Sequence, residues 1–226
     1  MDNRMVSRGD RVRFQDAWTW VRAAALLVGM WGLVRQLSGN LNDPAKSLVM
    51  YLSEFTTQSN FLGIAILGAG IWMAFRGRPE SSSFSCLRGA TVTFLVLTGV
   101  VFSVLVAGTR EVAGEHYYSD LASDILHKVM PVFMVVDWLV MPPRRLIPAR
   151  SALWWPVYPL VYCAYSLIRG EIVDWYPYDF MDHRESAGWG GVLLYVVGIY
   201  LGFLVFSQVV VWVGNAVRDR WGPGPA

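Results

Sequence analysis

The chain is paced by long apolar runs set between short, charged loops. Six runs stand out, at roughly 17–38, 48–75, 89–109, 121–141, 151–169 and 187–213. About 20 consecutive apolar residues suffice to cross a bilayer as a helix. In lipid, only a helix or a closed barrel satisfies its own backbone. The pattern therefore predicts an all-α, polytopic membrane protein built as a six-helix bundle. Of the 226 residues, 54% are hydrophobic and 16% charged, a balance that a water-soluble domain of this size has no use for. Pro142 and Pro143 close the fourth run, because proline cannot continue the helix ladder. Gly77, Pro79 and Ser81 to Ser83 mark the loop after the second. The loops leave no room for another domain, so residues 1–226 read as one integral membrane unit. Its expected cytoplasmic ends are an N-terminal arm over 1–16 and a tail over 214–226.

The arginines orient the chain. Arg4, Arg8, Arg11 and Arg13, then Arg76, Arg78 and Arg88, then Arg144, Arg145 and Arg150, and finally Arg218 and Arg220 all fall on one side. The other side holds Lys46, Arg110, Arg169 and Arg184 among many acids: Glu111, Glu115, Asp120, Glu171, Asp174, Asp179, Asp182 and Glu185. The positive-inside rule then puts both termini in the cytoplasm of a cell-membrane protein. The first run is long and no small-residue cleavage site follows it, so it reads as a retained span. A net charge of +2 gives no reason to expect nucleic acid. Cys86 sits in a basic loop and Cys163 in an apolar helix, which argues against a disulfide.

Polar residues concentrate in YLSEFTTQSN, at the head of the second run. At 100° per residue, Glu54, Thr57 and Gln58 face one way and Thr56, Ser59 and Asn60 another, so lipid cannot surround this segment. Counted from the outer surface at 1.5 Å per residue, Thr56 and Thr57 lie roughly 12–14 Å deep, and His127 of the fourth run roughly 10 Å deep. Asp120, Asp124, His127 and Pro131 share a helical face, and Asp124 is spaced to take a proton from one ring nitrogen. Lys128 points elsewhere and is expected to snorkel outward. Tyr158, Tyr162, Tyr165 and Arg169 form a second stripe, with Arg169 at the outer rim, where a carboxylate head group would meet it. Asp137 and Trp138 read as an interface anchor, with an arginine of a basic loop as a partner for Asp137.

Membrane threonines and serines mostly bond a carbonyl or a neighbouring helix. Tyrosine stripes are mostly packing with a polar handle. Ionisable groups within spans are costly, which makes His127 and Glu54 functional candidates. His116 and His183 carry no metal spacing, and neither a phosphate-binding glycine loop nor a nucleophile elbow is present, so no metal and no cofactor is implied.

Four segments carry a resemblance: F-T-T-Q-S-N from Phe55, H-K-V-M-P-x-x-x-x-x-D-W from His127, Y-P-L-V-Y-x-x-Y-x-L-I-R-G from Tyr158, and W-Y-P-Y-x-F from Trp175. In this order they resemble the bacterial, Pr6Pr-type branch of the androgen-induced membrane protein family. The resemblance implies six helices and, from the animal members, a threonine hydrolase that cleaves fatty acid esters of hydroxy fatty acids. His127 matches the family histidine. A T-x-x-N pattern selects Thr57 as the nucleophile, and the bacterial F-T-x-x-S-N pattern selects Thr56. With a base to take its proton, either hydroxyl becomes a nucleophile. Asn60, Gln58 or a tyrosine such as Tyr162 or Tyr165 would donate to the oxyanion, and Arg169 would hold a fatty-acyl carboxylate. The expected partner is a membrane lipid, and the oligomeric state stays open. The same residues suit a non-catalytic binder or a proton-coupled transporter using Glu54 or His127, or a structural subunit locked by its polar groups.

Overall fold

The computed structural model describes residues 8–106 and 121–221, and among them every regular element is helical. In chain order these are α1 (Arg8–Leu41), α2 (Leu48–Ser53), α3 (Phe55–Phe75) and α4 (Ser82–Val101), which runs on into a π-helical turn, Phe102–Val106. Then come α5 (Leu121–Asp124), a second π-turn (Ile125–Val129) and α6 (Met130–Val140). Last are α7 (Ala149–Ala152), α8 (Val157–Val173), a 3-10 turn (Asp179–Met181) and α9 (Gly188–Trp221). Arg4, Arg110, Glu111, Glu115, His116 and Asp120 lie outside the described residues, as do the side chains of Arg8, Arg11 and Arg13.

Among the described residues, four stretches are long and apolar enough to cross a membrane: Gln15–Leu41, Phe55–Phe75, Ser82–Val106 and Gly188–Arg220. Of the six apolar runs, two fall short. The fourth is helical without a break from 121 to 140 but carries Asp124, Lys128 and Asp137, and the fifth starts late, leaving α8 with 17 residues. Leu27, Val34, Leu193, Leu194, Val205 and Trp212 project from α1 and α9, all more than half exposed. Patches of this extent are unusual on water-soluble monomers. They suit a lipid surroundings, and the chain is an all-helical membrane protein by length and composition.

The second run was expected to be one continuous helix over 48–75, and it is broken at Glu54. Glu54 has extended backbone angles (φ −76°, ψ 132°), so α2 and α3 are separate. Ser47 caps α2 by accepting from the Met50 N–H, and Ser81 caps α4 in the same way from Phe84. Restarting a helix inside the bundle leaves the first N–H groups of α3 without helical acceptors.

α4 is the centre, packing on α3, α6 and α9. Every residue from Arg88 to Leu95 is buried, as befits a helix enclosed all round. One polar knot fixes its N-terminal half to α1 and α6. Asp137 accepts from Arg22 (2.6 and 3.1 Å), from Arg88 (3.0 Å) and from the Trp18 indole (2.8 Å). Glu80 stands 3.2 Å from Arg88 and 3.7 Å from Arg22. Asp137 is buried, and it pairs both with Arg88, one of the arginines expected in a basic loop, and, more closely, with Arg22 inside the first helix.

Candidate functional site

His127 sits in the second π-turn, where the Met130 N–H bonds the Ile125 carbonyl instead of that of Leu126. Pro131, with no N–H, removes the ordinary helical donor to the His127 carbonyl. Two neighbours accommodate this turn. Asn60 donates to the Leu126 carbonyl (3.1 Å), and Gly99 of α4 faces the His127 carbonyl so closely that a Cβ there would lie 2.6 Å from it. Phe102, from the first π-turn, stacks on the imidazole with centroids 3.6 Å apart.

The ring's hydrogen bonds set its tautomer. Nδ1 lies 2.9 Å from the Ser123 carbonyl and 3.2 Å from the Ser123 hydroxyl. A carbonyl only accepts, so Nδ1 carries the proton. Nε2 therefore presents its lone pair to Thr56 Oγ1, 3.2 Å away. The orienting group expected from spacing was Asp124. That carboxylate instead pairs with Lys128 at 2.5 Å, because the π-turn changes the register on which the stripe from Asp124 to Pro131 depended.

The two threonines separate. Thr56, at N2 of α3, meets His127, whereas Thr57 is turned towards Glu54 Oε2 (3.5 Å). Glu54 also accepts from Gln36 of α1 (3.1 Å). Asn60 donates to the Thr56 carbonyl (2.9 Å) as well as to Leu126, so it ties the threonine helix to the histidine turn. Ser59 bridges to Thr98 of α4 (3.1 Å).

The tyrosine stripe of α8 lies along the helix break. Tyr158 donates to Gln58 (2.6 Å), whose amide donates to the Leu52 carbonyl (2.9 Å) and so spans the break. Tyr162 donates to the Ser53 carbonyl (3.0 Å) and accepts from the Phe55 N–H (3.2 Å). Tyr165 shares a hydrogen bond with the Ser53 hydroxyl (2.8 Å). Arg169 does not join this group; its guanidinium lies over Trp175, 5.0 Å from the ring centroid.

Beside Thr56 opens an almost wholly apolar, half-open cavity. Phe55, Leu97, Phe102, Ile199 and Phe203 form much of its wall. Tyr178 and Phe180, from the loop between α8 and α9, complete it. Tyr178 accepts from the Thr56 N–H (3.4 Å), and burial pushes its phenol up to about 12. Sequence reasoning missed Ser123, Phe102, Gln36 and Tyr178. Tyr178 stands in W-Y-P-Y-x-F, which reads as an aromatic belt at the membrane surface. Among the described residues, no group of three or more His, Cys, Asp or Glu side chains is placed to hold a metal ion.

Fold and site define a class: an all-helical membrane protein with a buried hydroxyl–imidazole pair at the edge of an apolar cavity. Beyond that class no family is shown, for the chain matches no protein-family model, no curated protein and no solved structure.

Proposed function

We propose that the chain is an intramembrane lipid hydrolase that cleaves a fatty-acyl ester, with Thr56 as nucleophile and His127 as base. The observation that carries this reading is the 3.2 Å contact from Thr56 Oγ1 to an imidazole nitrogen whose opposite nitrogen is held by a carbonyl. An apolar cavity of acyl-chain character beside that hydroxyl supports the lipid substrate. The motif resemblance to the Pr6Pr-type branch of the androgen-induced family supports the same chemistry, with fatty acid esters of hydroxy fatty acids as the first substrates to try. In this reading the chain crosses the cell membrane six times with both termini in the cytoplasm, as the arginine pattern suggests. Thr56 Oγ1 attacks the ester carbonyl while its proton moves to His127 Nε2. The imidazolium returns that proton to the departing alcohol, and water then releases the acyl group by the same steps in reverse. Purified protein given a long-chain ester should turn over. His127→Ala and Thr56→Ala should each lower kcat about 10³-fold, within the range for loss of a positioned base or nucleophile, and Thr57→Ala should stay within a few-fold. Absence of turnover by the unaltered protein, or equal activity of the variants, overturns the assignment.

One observation favours a second reading, proton-coupled transport or non-catalytic binding of a lipid or small molecule. The second apolar run is broken at a half-buried acid, Glu54, and discontinuous helices are a transporter device. Uptake into proteoliposomes driven by a pH gradient, and abolished by Glu54→Gln, would select it over hydrolysis.

A further inference from the structure

The four tyrosine hydroxyls around the helix break use their protons differently. Tyr158 gives its proton to Gln58 and Tyr162 to the Ser53 carbonyl, and Tyr165 shares a bond with the Ser53 hydroxyl. Each of these is tied up within the protein. Tyr178 accepts from the Thr56 N–H and lies beside the Thr56 and Tyr162 side chains, and among the described residues no hydrogen bond has Tyr178 as its donor. That hydroxyl sits on the backbone of the residue whose side chain contacts His127, and its ring forms part of the cavity wall.

The loop is built to hold it there. Met181 is buried at the base of the 3-10 turn. Tyr178 stacks on Phe180 with centroids 5.2 Å apart and planes 4° from parallel. Gly170 of α8 lies flat against the Tyr176 ring, leaving no room for a Cβ. On the outer face Arg184 pairs with both Asp174 and Asp182.

We propose that Tyr178 donates its hydroxyl hydrogen bond to the carbonyl oxygen of an acyl ester seated in the cavity, and so serves as the oxyanion donor beside the Thr56–His127 pair. The inference rests on the hydrolase reading. As the Thr56 Oγ1–carbon bond forms, the carbonyl π pair moves onto oxygen. Tyr178 stabilises that charge without giving up its proton, while the threonine proton passes to Nε2. A phenol held up near 12 keeps its proton at neutral pH.

The test uses full-length protein in nanodiscs and compares Tyr178→Phe with the unaltered chain by two readouts. Hydrolysis of a long-chain ester should show kcat lowered about 100-fold, the cost of one oxyanion donor, with KM changed less than about threefold. Infrared spectra of a bound, carbonyl-labelled long-chain methyl ketone should show its C=O stretch lowered by the unaltered chain and returned towards the free value in Tyr178→Phe. If that variant does not fold, 3-fluorotyrosine in place of Tyr178, a stronger donor, should lower the stretch further. Turnover that depends on Thr56 and His127 but not on Tyr178, with an unmoved stretch, overturns this proposal and leaves the hydrolase reading standing. No turnover, with a stretch that still responds to Tyr178, overturns the hydrolase reading and keeps Tyr178 as a carbonyl donor to a bound lipid. No turnover and no response overturns both.

Discussion

At the scale of single residues, the site depends on which group claims which lone pair. Asn60 is fully buried and its amide serves two carbonyls, those of Thr56 and Leu126. Asn60→Leu should therefore cost about 1–3 kcal/mol, the penalty for buried polar groups left without partners. Thermal unfolding in detergent measures it, and a loss below about 0.5 kcal/mol would mean that water replaces the amide. The meeting of a threonine with His127 was legible from depth alone, because helical rise converts residue counts into ångströms. The choice between Thr56 and Thr57 was not, since adjacent positions differ by a rotation that only the start of α3 decides. The orienting role expected of Asp124 went to a backbone carbonyl, which no side-chain pattern encodes, while Lys128 claimed the carboxylate from the next turn.

Elements carry the strain-bearing features. The π-turn at Ile125–Val129 combines a Met130 bond reaching one residue too far with a proline that offers no donor. Pro131→Ala restores an N–H for the His127 carbonyl and favours an ordinary helix, in which the imidazole is turned away from Thr56. Turnover should fall at least about 10-fold, since small misplacements at a reacting centre cost that much or more. The unfolding midpoint should not fall with it, which circular dichroism can follow. The α8–α9 loop makes a pH prediction. Hydrogen bonds from Arg184 hold the Asp182 carboxyl below its ordinary 3.8. A carboxyl lowered on folding contributes stability that is present above its unfolded pKa and disappears as pH falls through the folded one. Proteolysis of residues 174–186 should therefore accelerate on acidification below about pH 4, and Asp182→Asn should remove that acid sensitivity. No proline or glycine marks the break at Glu54, so the second run reads as unbroken. The break is visible only once tyrosines from α8 are seen to satisfy the freed N–H of Phe55 and, from the loop, that of Thr56.

For the whole molecule, the knot of Asp137, Arg22, Arg88 and Glu80 joins α1, α4 and α6 through charges that lipid would not tolerate singly. Asp137→Asn leaves two buried guanidinium groups short of a counter-charge and should cost about 3–5 kcal/mol, as breaking buried ion pairs does. Chemical unfolding in mixed micelles would show it, and an unchanged midpoint would mean that Glu80 alone suffices. Four of the six apolar runs were readable as membrane-length helices because lipid imposes length. Arg22 was hidden because one cation barely alters the average of a long run. Its position also bears on how the chain is made. Arg22 and Asp137 are separated by 115 positions, and ribosomes add roughly 5–20 residues per second. The first helix therefore exists for on the order of ten seconds before Asp137, the nearer of its two carboxylates, has been synthesised. During that interval the nascent segment has to stay beside the insertion machinery or keep its arginine at the head groups, and its final seating is a late event in biogenesis.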